Sequence, residues 1–560
     1  MLDLSPSRDP RLRSILSLAI AALMLGAAGA APAQDSRLPD IGSSAGELLS
    51  PSQQEEYGAM MLAQLRHYEY TLEDPLIDSW LEAMGNRLAT NSDRPTQPFT
   101  FFMMRERQIN AFATLGGYIG VNTGLVLASD REDEVAGVLS HEIAHVTQHH
   151  VLRSVERAQR DQVPILLAML GALAAAQAAG GNSADDAAQA AMVSAMGLMQ
   201  QRQINYTRSN EQEADRLGIR TLARADYDPV AMADFFATMQ ARSRTNAANY
   251  WGEIPDYLRT HPVTTTRITE AKQRAEQIRK EQGGAGEVCV RDAAGDVCQQ
   301  ESPHRPRYGG TGSTNPLLPG GLVIDTSSVA SASGTGLYEK AKERMRVLSA
   351  ETPVAAVREY EQMASVAPLT DAQQYGRAIA LLRNARARDA ADALATLHTR
   401  HPDDTWVTLG LAEAEARSGR REQAMDRFEA LLRHAPGDRA VALTYARSLS
   451  EYGTRDAGQR AQAILRPLMA RSGDDPEFQA VFARACEIAG DEVRAGEAYA
   501  EAAYLNGRAE LALVRLENLK KRDDLDYYAR SRIESRIAAI TPTVLELRRQ
   551  GVRDEDAKRD

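Results

Sequence analysis

The stretch Ser140-His141-Glu142-Ile143-Ala144-His145-Val146 decides how the rest of the chain is read. Its two histidines stand four apart. On an α-helix that spacing puts both imidazoles on one face, with side-chain roots about 6 Å apart, so both reach one metal ion. Glu142 projects about 100° round the axis from His141, close enough to take a proton from a water held at that ion. Val135, Val138, Leu139 and Ile143 supply an apolar face, and the pattern predicts a buried helix over about 132–150. Ser129-Asp130-Arg131-Glu132 has the form of a capping box that would start it. His149 follows on the same face. Three collinear histidines cannot converge on one ion without bending the helix, so a surface or supporting place is expected for it.

A third ligand is sought downstream, in Arg208-Ser209-Asn210-Glu211-Gln212-Glu213-Ala214-Asp215-Arg216-Leu217-Gly218, also helical by pattern. Catalytic zinc recurrently takes two histidines and a glutamate and keeps a fourth place for water. Glu211 can supply the carboxylate. Asp215, one turn later on the same face, can accept a hydrogen bond from the outer nitrogen of a ligand histidine, fixing its tautomer.

His-Glu-x-x-His followed about sixty residues later by Glu-x-x-Ala-Asp resembles the CAAX-prenyl-protease-like zinc metallopeptidases. Asn110-Ala111-Phe112-Ala113-Thr114-Leu115-Gly116-Gly117-Tyr118-Ile119 resembles that family's pre-catalytic strand, and Thr260-His261-Pro262 with Arg267 a later element. The likeness covers about residues 50–275. With the N-terminus and C-terminal repeats described below, the chain is similar to the periplasmic branch known as β-barrel assembly-enhancing proteases. The resemblance implies one Zn2+ per chain held by His141, His145 and Glu211, endopeptidase activity, and Glu142 as general base. It further implies misfolded or stalled envelope proteins as substrates, above all outer-membrane β-barrels, with their assembly machinery as a partner. The rival function is a chaperone or assembly adaptor that acts through the repeats; an intact Glu142 argues against it, because a structural metal site needs no base.

Two elements of that region carry open alternatives. Glycines beside a strand mark either a tight turn or the close approach of another backbone, so Gly116 and Gly117, with Asn110, Ala111 and Phe112, are candidate contacts for an extended peptide. His261 can fill the open coordination place and hold the enzyme latent, can hydrogen-bond the tetrahedral intermediate, or can merely cap a turn. It is carried, with Glu142 and Asp215, as a candidate for the chemistry.

The 560 residues suffice for two or three domains, and the net charge of −11 with no basic stripe excludes nucleic acid as an expected partner. Residues 1–33 read as a signal peptide. Arg8, Arg11 and Arg13 precede an apolar run from Ile15 to Leu25, and Ala31-Pro32-Ala33 offers a cleavage site. Export to the periplasm is therefore expected. The metallopeptidase domain is placed at 34–280. Within it, 165–199 reads as an Ala- and Met-rich helical hairpin, each limb too short to span a bilayer. It is either packed on the core or forms a lid or peripheral membrane contact.

Residues 281–336, rich in Gly, Ser, Pro and Thr, read as a linker. Cys289 and Cys298 stand in it with Ala-Ala-Gly between, and in an oxidising compartment a local disulfide is expected; zinc ligation is the poorer alternative. From 337 to 538 small residues recur: Ala378, Ala412 and Ala446 are spaced by 34, and Ala483 follows. That is the period of tetratricopeptide repeats, whose helix pairs stack into a solenoid that usually binds proteins. A charged tail, 539–560, closes the chain. The expected fold is mainly α: an α+β metallopeptidase domain with a small sheet, then an all-α solenoid.

Overall fold

The computed structural model describes residues 49–157, 206–248, 256–281, 287–292, 295–300 and 337–549. The signal segment, the 165–199 hairpin and the last residues of the tail lie outside them. Among the described residues, no helix is long and apolar enough to cross a membrane.

The first two helices are α1 (Pro51–His67) and α2 (Pro75–Thr90). Asp74 starts α2, its carboxylate accepting from the backbone N–H of Leu76 and Ile77, with Pro75 in the first turn where no N–H is needed. The helix buries Leu76, Ile77, Trp80, Leu81, Met84 and Leu88. A three-stranded sheet follows, β1 (Thr100–Met104), β2 (Ala111–Ala113) and β3 (Tyr118–Asn122), in the order β1-β3-β2. β3 runs parallel to β1 and antiparallel to β2, with Phe112 opposite Gly120. β2 is therefore an edge.

Gly116 and Gly117 form the turn into β3 at positive φ, 75° and 84°. A Cβ at Gly116 would lie 2.6 Å from Gln54 O of α1, and one at Gly117 would lie 2.3 Å from Pro98 O. The backbone that approaches them is the chain's own. Turn geometry and close approach of the chain's own backbone both account for these two glycines.

After α3 (Thr123–Ala128) comes α4 (Glu132–Thr147), which carries the two histidines and is buried along nearly its whole length. The expected capping box does not form. Ser129 donates back to Leu125 O at 2.9 Å, while Glu134 reaches back to accept from Asp130 N at 2.8 Å. Acidic Glu132, Asp133 and Glu134 in the first turn complement the helix dipole. Trp80 Nε1 donates to Glu132 at 2.8 Å and ties α2 to this end. The helix stops earlier than the pattern suggests, because His149 takes a left-handed backbone, φ 52°, before α5 resumes at 150–157.

Next come α6 (206–224), α7 (Ala231–Ala248), α8 (Asp256–Thr260) and α9 (Thr265–Glu281). α6 packs tightly on α4, since a Cβ at Gly218 would stand 3.1 Å from His141 N. The expected linker contains a hairpin, β4 (Glu287–Asp292) and β5 (Gly295–Gln300), with Cys289 and Cys298 directly opposed in its register. Two strands of six residues, broken by a two-residue link, are too short for composition to distinguish from a loop.

Twelve helices between Leu337 and Arg549 form the repeat region. Ala378, Ala412, Ala446 and Ala483 are all buried where paired helices meet. Its last helix, Tyr527–Arg549, runs beyond the expected end at 538, because Ile540 and Val544 are buried in the terminal core.

The two regions are separated in sequence but not in space. One apolar cluster runs continuously from Leu72 through the core of the N-terminal region to Ala498 of the repeats. The first repeat helix, Leu337–Leu348, forms the joint. Arg344 grips Asp74 through two bonds, 2.8 and 2.6 Å, and Tyr338 donates to Ser129 O at 2.8 Å. Arg107 meets Glu359, and Arg439 meets Asp78. Burial would raise the Asp74 carboxyl, but the Arg344 guanidinium wins and holds it below its ordinary value.

Asp74 therefore caps one region and anchors the other. Asp74→Ala should destabilise the full chain by about 3–5 kcal/mol, the cost of leaving a buried charge unpaired, read as a shifted denaturant midpoint. The depressed carboxyl stabilises the fold above about pH 3.8, and that contribution is lost as pH falls toward the lower folded value. A chain ending at residue 280 uncovers Leu76 and Trp80 and is expected to aggregate; a soluble, cooperatively folding fragment would show the joint to be dispensable.

Candidate metal centre

Three segments bring their donors to one point. α4 contributes His141 and His145, α6 contributes Glu211, and the residue after α8 contributes His261; one donor atom from each lies within 4.8 Å of all the others. The contacts of Trp80 with Glu132 and of Tyr338 with Ser129 lie at the opposite end of α4, where Glu132 stands nine residues, roughly 13 Å of helix, before His141.

The edges of this cluster can be compared with a metal shell. His145 Nε2 is 3.0 Å from His141 Nε2, and each is 3.4 Å from a Glu211 oxygen. His261 Nδ1 is 3.4 Å from His141 Nε2 and 3.0 Å from Glu211 Oε1. Four ligands about 2.0–2.1 Å from a tetrahedral centre stand roughly 3.3–3.4 Å apart. Three of these separations match that size and two, at 3.0 Å, are slightly shorter, with both Glu211 oxygens facing the nitrogens. Calcium wants six to eight oxygens at longer range, so the donor set itself selects a transition metal.

The surroundings hold these donors in place. Asp215 Oδ1 faces His141 Nδ1 at 2.9 Å. Arg267 grips Asp215 with two bonds of 2.7 Å, reaches Glu211 Oε2 at 2.9 Å, and lies over the Phe236 ring. Behind His145, His150 Nδ1 stands 3.0 Å from His145 Nδ1, and His150 Nε2 stands 3.2 Å from Glu213. His149 points elsewhere, 2.6 Å from Arg94.

Electrostatics divide the donors. Burial raises the Glu211 carboxyl, but His141, His145, His261 and their charges outweigh it and keep Glu211 ionised. Burial pushes the His145 imidazole down to about 3, so it presents a lone pair. His141 is driven down by burial and up more strongly by Asp215 and Glu211, to about 10. Glu142 differs from all of these. Burial lifts its carboxyl above the ordinary range while His261 and His141 pull it back, and the Ala113 backbone of β2 bonds to it. Its Oε1 is buried without a hydrogen-bond partner. A carboxylate raised in this way and left one unsatisfied oxygen is suited to accept a proton.

Residues 75–275 match the family model described as Peptidase family M48, and residues 369–448 match one for the tetratricopeptide repeat. They are an M48 metallopeptidase domain and a repeat domain. Relatives from Vibrio cholerae and Yersinia pestis, both named for beta-barrel assembly-enhancing protease, are 42% and 38% identical over 265 and 251 residues. Those matches cover 47% and 45% of the chain and 52% and 49% of the relatives, so the chain spans about half their length. The beta-barrel assembly-enhancing protease of Escherichia coli strain K12 is 27% identical over 94% of this chain and 96% of its own.

In the M48 domain the structure brings together His141, His145, Glu211, Asp215, His261 and Glu142, all anticipated from the sequence. Asn110 and Ala111 lie where the chain enters the edge strand, and Ala113 touches Glu142. His150 and Tyr257 were not anticipated. His150 reaches His145 only because the left-handed His149 changes the phase of the helix, and no glycine announces that break. Tyr257 stands four residues before His261, a spacing readable only once α8 is known to be helical.

Four protein donors close a tetrahedral shell, whereas catalytic sites keep one place open. His261→Ala should retain stoichiometric metal and raise turnover of a small peptide. Lower turnover with metal retained would instead give His261 a part in the reaction. Glu211→Ala should lose both metal and activity, measurable by elemental analysis of the purified protein.

Proposed function

We propose that the chain is an exported zinc endopeptidase that degrades misfolded or stalled proteins of the cell envelope. The observation that carries the peptidase reading is the buried Oε1 of Glu142, without a hydrogen-bond partner, beside a cluster of two histidines and a glutamate whose nitrogen–oxygen separations of 3.4 Å suit zinc. A cation bound there would polarise the scissile carbonyl and acidify water. His141, His145 and Glu211 would hold it, with Asp215 and His150 orienting the two histidines from behind.

The rest is done by the chain. Glu142 accepts a proton from the attacking water, and the same carboxyl then delivers it to the nitrogen of the departing amine. The edge strand β2 offers main-chain groups beside Glu142, where an extended peptide can add as a further strand. Asn110, Ala111 and Phe112 would line that peptide. Recognition through backbone suits a substrate defined by being unfolded rather than by sequence.

The wider reading rests on the signal-like segment 1–33, on the repeats, and on relatives named for β-barrel assembly. In the periplasm the repeats would engage unfolded outer-membrane proteins or their assembly machinery. The same compartment favours a disulfide between Cys289 and Cys298, which the hairpin register sets opposite one another.

Glu142→Gln should keep zinc and lose peptide hydrolysis by about 10²–10⁴-fold. Near-wild-type cleavage of an unfolded protein by that variant would remove Glu142 from the role of base. Non-reduced peptide mapping of protein from the periplasm should recover Cys289 linked to Cys298, while free thiols at both would count against export into an oxidising compartment.

A further inference from the structure

Among the described residues, six buried side-chain polar atoms have no hydrogen-bond partner. A folded chain keeps few such atoms, and each needs a reason. One of them, His141 Nδ1, already faces Asp215 Oδ1 at 2.9 Å, and three others are Asn110 Oδ1, Glu142 Oε1 and Tyr257 OH. All three belong to the neighbourhood of the donor cluster. Tyr257 N donates to Ile109 O at 3.2 Å, which fixes α8 to the segment carrying Asn110, and that segment continues into the strand that bonds Glu142.

Tyr257 is fully buried. Its ring stacks on His261, centroids 5.0 Å apart at 29°, and meets Phe235 edge-on at 5.8 Å. His261 Nε2 is in turn 3.6 Å from Glu142 Oε1. The phenol therefore stands one ring away from the base and the donors. After burial itself, the nearby Glu142 charge is the strongest influence on its hydroxyl. Packing explains the ring but not the oxygen. A phenylalanine would fill the same space and leave no polar atom unpaired, and buried tyrosine hydroxyls ordinarily find a partner.

We propose that Tyr257 is a catalytic residue: its O–H donates a hydrogen bond to the oxygen of the scissile carbonyl. The three unpaired atoms then acquire complementary partners when a peptide and a water enter. Asn110 Oδ1 accepts from a substrate N–H, Glu142 Oε1 accepts from the water, and Tyr257 donates to the carbonyl. As the water oxygen bonds to carbon, the carbonyl π pair moves onto oxygen and the water proton passes to Glu142. The hydrogen bond from Tyr257 strengthens as that oxygen becomes negative. When the C–N bond breaks, the pair returns, the amine nitrogen takes the proton from Glu142, and Tyr257 keeps its own throughout. A donor whose bond strengthens in the transition state raises turnover more than it tightens substrate binding.

This assignment rests on the peptidase reading above, and one set of measurements separates the two. Turnover of a quenched-fluorescent peptide is measured for the zinc-loaded full chain and for Tyr257→Phe, each also with His261→Ala. Tyr257→Phe should lower kcat by about 10²–10³-fold, the effect of removing one oxyanion donor, with KM changed less than about threefold. Zinc content and thermal midpoint should not move. In zinc-loaded Glu142→Gln, adding Tyr257→Phe should weaken a phosphinic peptide, which carries a tetrahedral anionic centre, at least tenfold by calorimetry. The uncleaved parent peptide should bind equally well to both. Turnover within threefold of the parent, or a loss accompanied by lost zinc or a lowered midpoint, would overturn the role of the phenol. Absence of cleavage by the wild-type chain and by His261→Ala, both with zinc bound, would instead overturn the peptidase reading.

Discussion

The structure depends on keeping an ionised carboxylate, Glu211, nearly free of water. Burial alone would protonate it. It stays charged because three imidazoles and Arg267 surround it, and those partners come from segments far apart in the chain. Much of the M48 domain follows from that requirement. α4 must be buried so that its histidines are dry, α6 must approach it closely enough that Gly218 has no room for a side chain, and α9 must bring Arg267 over Phe236 to brace two carboxylates at once. Replacing Arg267 by lysine would leave the bidentate grip on Asp215 unmade, since a point charge cannot span both oxygens.

The repeats answer a different constraint. Their first helix covers α2, whose apolar face would otherwise be open, and Arg344 completes the carboxylate that caps that helix. This joint lies toward the N-terminal end of α4 and the donors toward its C-terminal half. The solenoid is thereby rooted away from the reacting groups and still shares their core. Gly507, far along the repeats, comes close enough to α1 that a Cβ would stand 2.5 Å from Ala63 O, so the solenoid returns to the domain it starts from.

The fold class, the repeats and four of the six anticipated site residues were legible in the sequence because each is written in short periods. A four-residue spacing sets His141 against His145 and Glu211 against Asp215, and a 34-residue spacing marks the buried alanines. What escaped depends on backbone events or on distance. The left-handed His149 moves His150 onto the donors without a signature residue, and Ser129 resembles a cap but bonds backwards to Leu125. Gly116 and Gly117 are approached by α1 and Pro98 of the chain itself, neighbours that no local pattern announces. Asp74 and Arg344 are 270 positions apart, and nothing local pairs one charge with the other.

The arrangement of donors also has a topological meaning. His261 lies 50 positions from Glu211 and 120 from His141, so a cation shared among them is a cross-link that closes two long loops. Closing loops of that length removes much of the freedom of the unfolded chain, as a disulfide would, with the difference that the link is made and broken by mass action in the cation. The 158–205 segment lies inside the larger loop, between the second and third donors. Supply of the ion thus bears on the stability of the fold as well as on the chemistry at the site.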